Sequence, residues 1–284
     1  MRHRIEDKRV LGLVKAFLKS GILGEDGEFR ESNTGTSQGS ILSPLLSNIA
    51  LSVLDEHFAE AWKVTMGNSW TREQRRRKGL ANYRIVRYAD DWVLMVAVTK
   101  ADAEQLRDEA AAVLLDMGLR LSEEKTVIAH IDQGFNFLGM RIQRHYQRGS
   151  NRRFVYTYPS LSALMAVKAK VRSITRRSTN QSLPVLLHRL NSVLRGWVNY
   201  HYHGASAKTF AYLSAFTWRR VWCWLCHKHP KTGKRELRRR YFRKWWPEQD
   251  EVKLFDPSAV AIVRYRYRGA AIPSPWVTQT RNAV

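Results

Sequence analysis

The sequence predicts an α+β fold in two parts: a mixed half of antiparallel strands packed with helices, followed by an all-helical half. Three observations predict it. Up to about residue 158, apolar runs of strand length alternate with stretches of helical spacing. From Pro159 onward, three long segments carry helical spacing alone. Charge divides at nearly the same place, since residues 1–140 hold 19 basic and 20 acidic side chains whereas residues 141–284 hold 29 and 5.

The elements follow in chain order. "KRVLGLVKAFLKSGIL" spaces Val10, Leu13, Val14 and Phe17 on one helical face and ends near Gly21. A turn at "GEDGEF" precedes "TGTSQGSILSP", where Gly and Pro mark a loop, and an apolar helix runs from about Leu45 to Trp62. "TMGNSWTREQRRRKG" is polar and basic and reads as an exposed connection. "RIVRYADDWVLMVAV" gives two apolar strands around a tight turn. Thr99-x-x-Asp102 signs the start of a helix, carried by Leu106, Ala110, Val113, Leu114 and Met117 and closed at Gly118. "LRLSEEKTVIAHI", "FNFLGMRIQRHY" and "RFVYTYP" read as three further strands. The helical half then comprises "SLSALMAVKAKVRSITRR", "SLPVLLHRLNSVLRGWVNYHYH" and "SAKTFAYLSAFTWRRVWCWLCHKH".

A chain of 284 residues can bury a sizeable core and divide into two domains. Its formal charge of +23 sits almost wholly in the second half. So lopsided an excess suits a polyanion, because Lys and Arg gain by displacing counterions from phosphates. In the first of the three helices Lys168, Arg172 and Arg176 fall four apart, beside the apolar stripe of Leu164, Val167, Val171 and Ile174, so that one side packs and the other meets phosphate. The run "RELRRRYF", with Arg238, Arg239 and Arg240, adds a second basic cluster. Aromatics interleave with these charges, among them Trp197, Tyr200, Trp218, Trp222, Trp224, Trp245 and Trp246. Most fill the core; the remainder suit RNA, whose unstacked bases lie on rings. No apolar run approaches the roughly 20 residues of a membrane span, and no signal-type segment follows the basic start, so a cytoplasmic or organellar, non-secreted protein without a membrane partner is expected.

Asp90 and Asp91 stand between apolar strands. The strands read as buried, and a carboxylate pair buried at their turn is costly unless a cation neutralises it, since adjacent like charges in low dielectric cannot both stay ionised cheaply. Hard oxygen ligands suit Mg²⁺, and a two-metal site would activate a primer hydroxyl and steady departing pyrophosphate. An ordinary polar turn is the alternative, Asp being common in hairpins.

Several ordered motifs accompany the doublet. "YADD" within apolar strands, preceded by "TSQGSILSPLLSN" and followed by "LSEEKT" and "FNFLG", resembles the reverse transcriptases encoded by group II introns, and "GWVNYHYHGASAKTFAYLSAFTWRRVW" resembles their maturase domain. The resemblance spans nearly the whole chain. It implies a partial polymerase palm over 1–158, a helical thumb and maturase RNA-binding domain over 159–250 and a C-terminal extension over 251–284. It also implies a metal site at Asp90 and Asp91, flanked by Tyr88 and Ala89 beside the primer end. Gln38 and Gly39 would line the nucleotide and template, Lys125 would sit near the triphosphate, and Phe137, Leu138 and Gly139 would belong to a primer-gripping hairpin. A surface lysine is the other reading of Lys125. Intron RNA, a DNA primer or target and deoxynucleoside triphosphates would be the partners. A non-catalytic maturase-type splicing factor is the alternative function.

Two departures bear on this. Ser37 stands where the family usually has Pro before Gln-Gly. The resemblance also calls for a further metal-binding aspartate before the first helix, for which Asp7 and Asp26 are poor substitutes. The expectation is therefore a truncated or split chain, inactive alone, with a separate N-terminal polymerase fragment as a partner. "CWLCH" fits haem attachment, and Cys223, Cys226, His227 and His229 can be drawn as a zinc set, but the stretch reads as a continuous Trp-rich helix, which disfavours both.

Overall fold

A computed structural model describes residues 5–19, 21–23, 29–30, 42–147, 149–176 and 179–263. They fall into two compact units, 1–128 and 129–284, each built around its own core. Helices and strands mix in both.

In the first unit, α1 (Lys8–Lys19) is followed by a short pair, β1 (Ile22–Leu23) and β2 (Phe29–Arg30). Then come α2 (Ser43–Ala61), α3 (Ser69–Arg77), the hairpin β3 (Asn82–Tyr88) and β4 (Asp91–Ala97), and α4 (Lys100–Leu115). The core forms where Leu54 and Phe58 of α2 meet Leu106, Ala110 and Leu114 of α4. One face of the hairpin, with Tyr83, Ile85, Trp92, Leu94 and Val96, packs on them. Period-2 alternation puts these residues on one side because Tyr83 pairs with Val96 and Ile85 with Leu94. The opposite face leaves Val86, Tyr88 and Met95 exposed, so these strands are half-buried rather than buried. The Thr99–Asp102 capping box forms as the spacing predicts: the Asp102 amide donates to Thr99 Oγ1 at 3.2 Å and the Thr99 amide to Asp102 Oδ2 at 3.0 Å.

Two expectations fail in this unit. The basic stretch after α2 is not a loose connection: a five-residue π-helical turn, Trp62–Met66, leads into α3, whose N-cap Asn68 accepts from the Thr71 amide at 2.8 Å. Arg75 then donates to the Ala81 carbonyl at 2.7 Å, and Asn82 Nδ2 to the Arg72 carbonyl at 2.9 Å, which docks the helix on the start of β3. Nor is 119–131 a strand. The Ser122 carbonyl accepts from the Lys125 and Thr126 amides, so the polar run closes on itself as a turn.

The second unit opens with β5 (Phe135–Phe137), β6 (Met140–Tyr146) and β7 (Arg153–Pro159), an antiparallel sheet in that order. Gly134 precedes it at φ +73°, and a Cβ there would lie 2.7 Å from the Ile142 carbonyl oxygen, so only glycine fits. Three helices follow, α5 (Leu161–Arg176), α6 (Leu183–His201) and α7 (Ala207–Lys228). Their facing stripes supply the core, with Val171, Leu186, Leu187, Leu190, Leu194, Leu213, Val221 and Leu225 fully buried. The sheet is tied to the bundle where the Ser160 amide donates to Gly139 O at 2.9 Å and the Ala205 amide to Thr157 O at 2.7 Å.

This half is not all-helical. After α8 (Lys234–Tyr241), the chain makes three short strands, β8 (Phe242–Arg243), β9 (Trp246–Gln249) and β10 (Val252–Lys253), ordered β10-β9-β8. Two-residue turns at Lys244–Trp245 and Asp250–Glu251, all four residues at positive φ, permit such short hairpins. Buried Asn191 of α6 holds the last strand, donating to Lys253 O at 2.8 Å and accepting from the Phe255 amide at 2.7 Å.

Candidate functional site

The acidic doublet sits at the tip of the β3–β4 hairpin. Tyr88 pairs with Asp91, leaving Ala89 and Asp90 as a two-residue turn in which Ala89 adopts φ 51°. Both carboxylates are exposed. The premise of a buried charge pair is thereby overturned: the turn lies outside the α2–α4 core, and both charges are open to solvent. What distinguishes the tip is its attachment. Ser47 of α2 donates its hydroxyl to Asp90 Oδ1 at 2.8 Å. Arg87, one residue before Tyr88, donates to the Ala89 carbonyl at 2.8 Å and to Asn48 Oδ1 at 2.9 Å, while its Nε and Nη2 reach Asp55 Oδ2 at 2.9 and 2.5 Å. The Arg87 side chain is only 8 % exposed. A guanidinium that donates from Nε and both Nη atoms to fixed acceptors holds a turn far better than a single exposed ion pair would.

Sequence reasoning passed over Ser47, Asn48, Asp55 and Arg87. A signal existed. Arg87 shares strand parity with Tyr83 and Ile85, so it points to the core and requires an acceptor; Asp55, next to Leu54 on the helix beneath, supplies one.

The other expected positions are dispersed. Gln38 and Gly39, with Ser37, lie outside the described residues. Lys125 occupies the turn after Ser122 and is exposed. In the second unit, Phe137 ends β5, and Leu138 and Gly139, at φ 48° and 72°, form the tight turn into β6, with Tyr200 Oη donating to Leu138 O at 2.8 Å.

The basic residues of the second unit differ in their surroundings. Lys168 is buried, contrary to the solvent-facing row that the spacing implies: its ammonium donates to Tyr212 Oη at 2.6 Å and lies over the Tyr212 and Phe216 rings. That hydrogen bond lowers the Tyr212 phenol below its ordinary value. Arg172 covers the Phe216 ring at 5.3 Å, and Arg176 is exposed. Arg238, Arg239 and Arg240 are all exposed on α8. Most of the interleaved rings pack, with Trp224 and Tyr241 buried and Trp197, Trp222, Phe242 and Trp246 against the core, whereas Tyr200 and Trp245 face solvent. α7 runs unbroken through Cys223 and Cys226, both free; His227 Nδ1 donates to the Cys223 carbonyl at 2.6 Å, and His229 Nε2 pairs with Tyr241 Oη at 2.7 Å.

Comparison with known proteins decides what this arrangement belongs to. Residues 2–142 match the family model of reverse transcriptase (RNA-dependent DNA polymerase), and residues 164–242 match the group II intron maturase-specific domain. The chain belongs to the group II intron reverse transcriptase and maturase family. It is 36 % identical over 177 residues to Protein YkfC of Escherichia coli, covering 57 % of this chain and 46 % of that protein. The group II intron-encoded protein LtrA of Lactococcus lactis is 28 % identical over 184 residues, covering 49 % of this chain and 31 % of LtrA. A putative COX1/OXI3 intron 2 protein of Saccharomyces cerevisiae is 22 % identical over 264 residues, covering 71 % of this chain and 31 % of the yeast protein. The chain thus spans less than half the length of these relatives. The doublet falls within the reverse transcriptase match, and α8 within the maturase match. Among the described residues, no helix is long and apolar enough to cross a membrane.

Proposed function

We propose that this protein binds group II intron RNA through its basic second unit and contributes Asp90 and Asp91 to RNA-directed DNA synthesis. In this reading the first unit is palm and the helices after Pro159 are thumb and maturase surface. The observation that carries it is the charge division: 29 basic against 5 acidic side chains over residues 141–284, a stretch within which residues 164–242 match the maturase-specific domain. A near-neutral polymerase portion joined to a polycationic one fits an enzyme that must hold a long RNA while a small site does chemistry.

Asp90 and Asp91 fit Mg²⁺ as adjacent hard oxygen donors open to water, the mode in which that ion keeps several waters and takes one or two carboxylates beside substrate phosphates. When bound, the ion would activate the primer hydroxyl and steady the leaving pyrophosphate. The chain's own residues position and select. Ser47 orients the Asp90 carboxylate, Arg87 fixes the turn that carries it, and exposed Tyr88 flanks the primer terminus. Lys125 offers an ammonium to the triphosphate, able to offset charge or deliver a proton to pyrophosphate. Gln38 and Gly39 line the nucleotide and template, and the Leu138–Gly139 turn grips the primer. Arg172, Arg176 and Arg238–Arg240 meet RNA phosphates, and Lys168 contributes by holding Tyr212.

The test uses the protein assembled with its intron RNA and with any further polymerase fragment that its copying requires. Asp90→Asn abolishes primer extension while leaving RNA affinity and splicing intact; neutralising Arg238, Arg239 and Arg240 together weakens RNA binding and splicing. Primer extension that survives Asp90→Asn removes the catalytic assignment. Splicing support in a complex that never copies RNA, with or without Asp90, favours the alternative of a splicing factor alone.

A further inference from the structure

The turn between β8 and β9 holds two consecutive residues, Lys244 at φ 45° and Trp245 at φ 71°, in the left-handed region. Asn and Gly are the residues such a turn prefers, and a bulky side chain there is strained. Strain of this kind persists where surrounding structure enforces it and where it serves a site. Here a hydrogen bond and packed rings surround the turn. The Trp245 carbonyl accepts from Trp218 Nε1 at 3.0 Å. Trp218 stacks with Trp222, ring centroids 6.1 Å apart at 16°, and Phe242 sets its edge against both. The Arg238 guanidinium lies over Trp222 at 5.4 Å and over Trp245 at 4.8 Å.

The two adjacent tryptophans have opposite fates. Trp246 is half-buried, donates Nε1–H to Leu254 O at 2.6 Å and packs on the core. Trp245 contributes nothing to that core and keeps 69 % of its surface open. A hydrophobic ring displayed at the cost of backbone strain, with a cation against it, is a stacking surface awaiting a flat partner. The charge around it identifies the partner: residues 234–245 contain seven basic side chains and one acidic, Glu236. Phosphates are drawn to such a stretch, and nucleobases offer π-faces to the ring. A base within a duplex has its faces covered by its neighbours, so the fit is to an unpaired base.

We propose that Trp245 is the platform on which one unpaired base of bound RNA stacks, with Arg238 backing the indole and the neighbouring arginines holding the flanking phosphates. This rests on the reading that the second unit binds RNA, and adds that the interface reads single-stranded segments, loops or bulges at this point rather than helical backbone alone.

The experiment measures binding of the full chain to a short single-stranded RNA carrying one 2-aminopurine, and to an RNA duplex of equal length, across a salt series. Wild type quenches the 2-aminopurine on binding. Trp245→Ala and Trp245→Gly lower single-strand affinity roughly tenfold and lose the quench, Trp245→Phe keeps most of both, and duplex affinity and salt slope stay unchanged, because these variants remove a stacking ring and no cation that faces phosphate. Arg239→Gln behaves oppositely, weakening both RNAs and reducing the salt slope by about one. Trp245→Gly also leaves the melting temperature unlowered, because the glycine relieves the left-handed backbone. Single-strand affinity equal to wild type in Trp245→Ala, an equal loss on duplex, or a fall in melting temperature in Trp245→Gly would each overturn the platform. A wild-type chain that binds neither RNA removes instead the reading on which the platform rests.

Discussion

Arg87 determines how well the acidic doublet is held, because one side chain spans Asp55, Asn48 and the Ala89 carbonyl. Removing either partner of a largely buried ion pair leaves a charge with no counterpart, a larger loss than the pair's own net contribution. Asp55→Ala is therefore expected to lower the stability of the first unit by about 2 kcal/mol, more than Asp55→Asn, which keeps an acceptor toward Arg87. Urea unfolding of both variants checks the order. Asn191 makes a similar case in the second unit: Asn191→Ala strands the Lys253 carbonyl and the Phe255 amide and is expected to cost about 2–3 kcal/mol. Titration belongs to this scale too. Burial holds the His201 imidazole below its ordinary value. The unfolded chain therefore takes up that proton first, so the second unit's stability is full above about pH 6.5 and falls as pH drops toward the depressed folded value. Burial raises the Asp256 carboxyl, but hydrogen bonds from Ser214 and Ser258 outweigh it and leave it low. Its contribution is present above about pH 4 and lost as pH falls through the folded value. Denaturation midpoints measured from pH 8 to pH 3 should thus show two declines, the upper one reduced in His201→Gln and kept in part by His229, whose imidazole is also lowered by burial and by the neighbouring Lys228 and Arg240.

At the scale of elements, the amphipathic helices and alternating strands were legible. α2, α4 and the three long helices lie where apolar spacing puts them, because a stripe at 3.6-residue period has nowhere to go but a core. Thr99-x-x-Asp102 was legible for the same local reason. The failures also have local causes. α3 carries almost no apolar residues, so periodicity is silent on it, and the signal is its Asn68 cap with Glu73 pairing Arg76 and Arg77 one turn on. Asn68→Ala is expected to cost about 1 kcal/mol and to loosen the start of β3, detectable as faster amide exchange over 72–84. Strands β8–β10 were hidden because "RKWWPEQDEVK" contains no Asn-Gly or Gly-rich turn, and its turn residues adopt positive φ under tertiary constraint. The burial assumed for Asp90 and Asp91 failed because flanking hydrophobicity says which face of a hairpin packs and nothing about how far its tip projects. The doublet itself was legible as a motif; the network that holds it was not, since it joins residues 47, 48, 55 and 87 through space.

For the whole molecule, the two family matches and the charge division describe a near-neutral portion bearing carboxylates and a polycationic portion bearing exposed arginines and the exposed Trp245. Each unit has its own core, so a lesion in one need not abolish the other's function. Variants at Asp90 and Asp91 are expected to leave RNA affinity untouched, and variants on α8 to leave the fold of the first unit untouched. The most direct test of the central claim is the affinity of the full chain for group II intron RNA measured across a salt series, in wild type and with Arg238, Arg239 and Arg240 replaced by glutamine. The expected result is tight binding that falls steeply with salt in wild type, and a shallower log–log slope in the variant, lower by about one for each phosphate that is no longer neutralised. Binding that is insensitive to salt, or a variant indistinguishable from wild type, would contradict it.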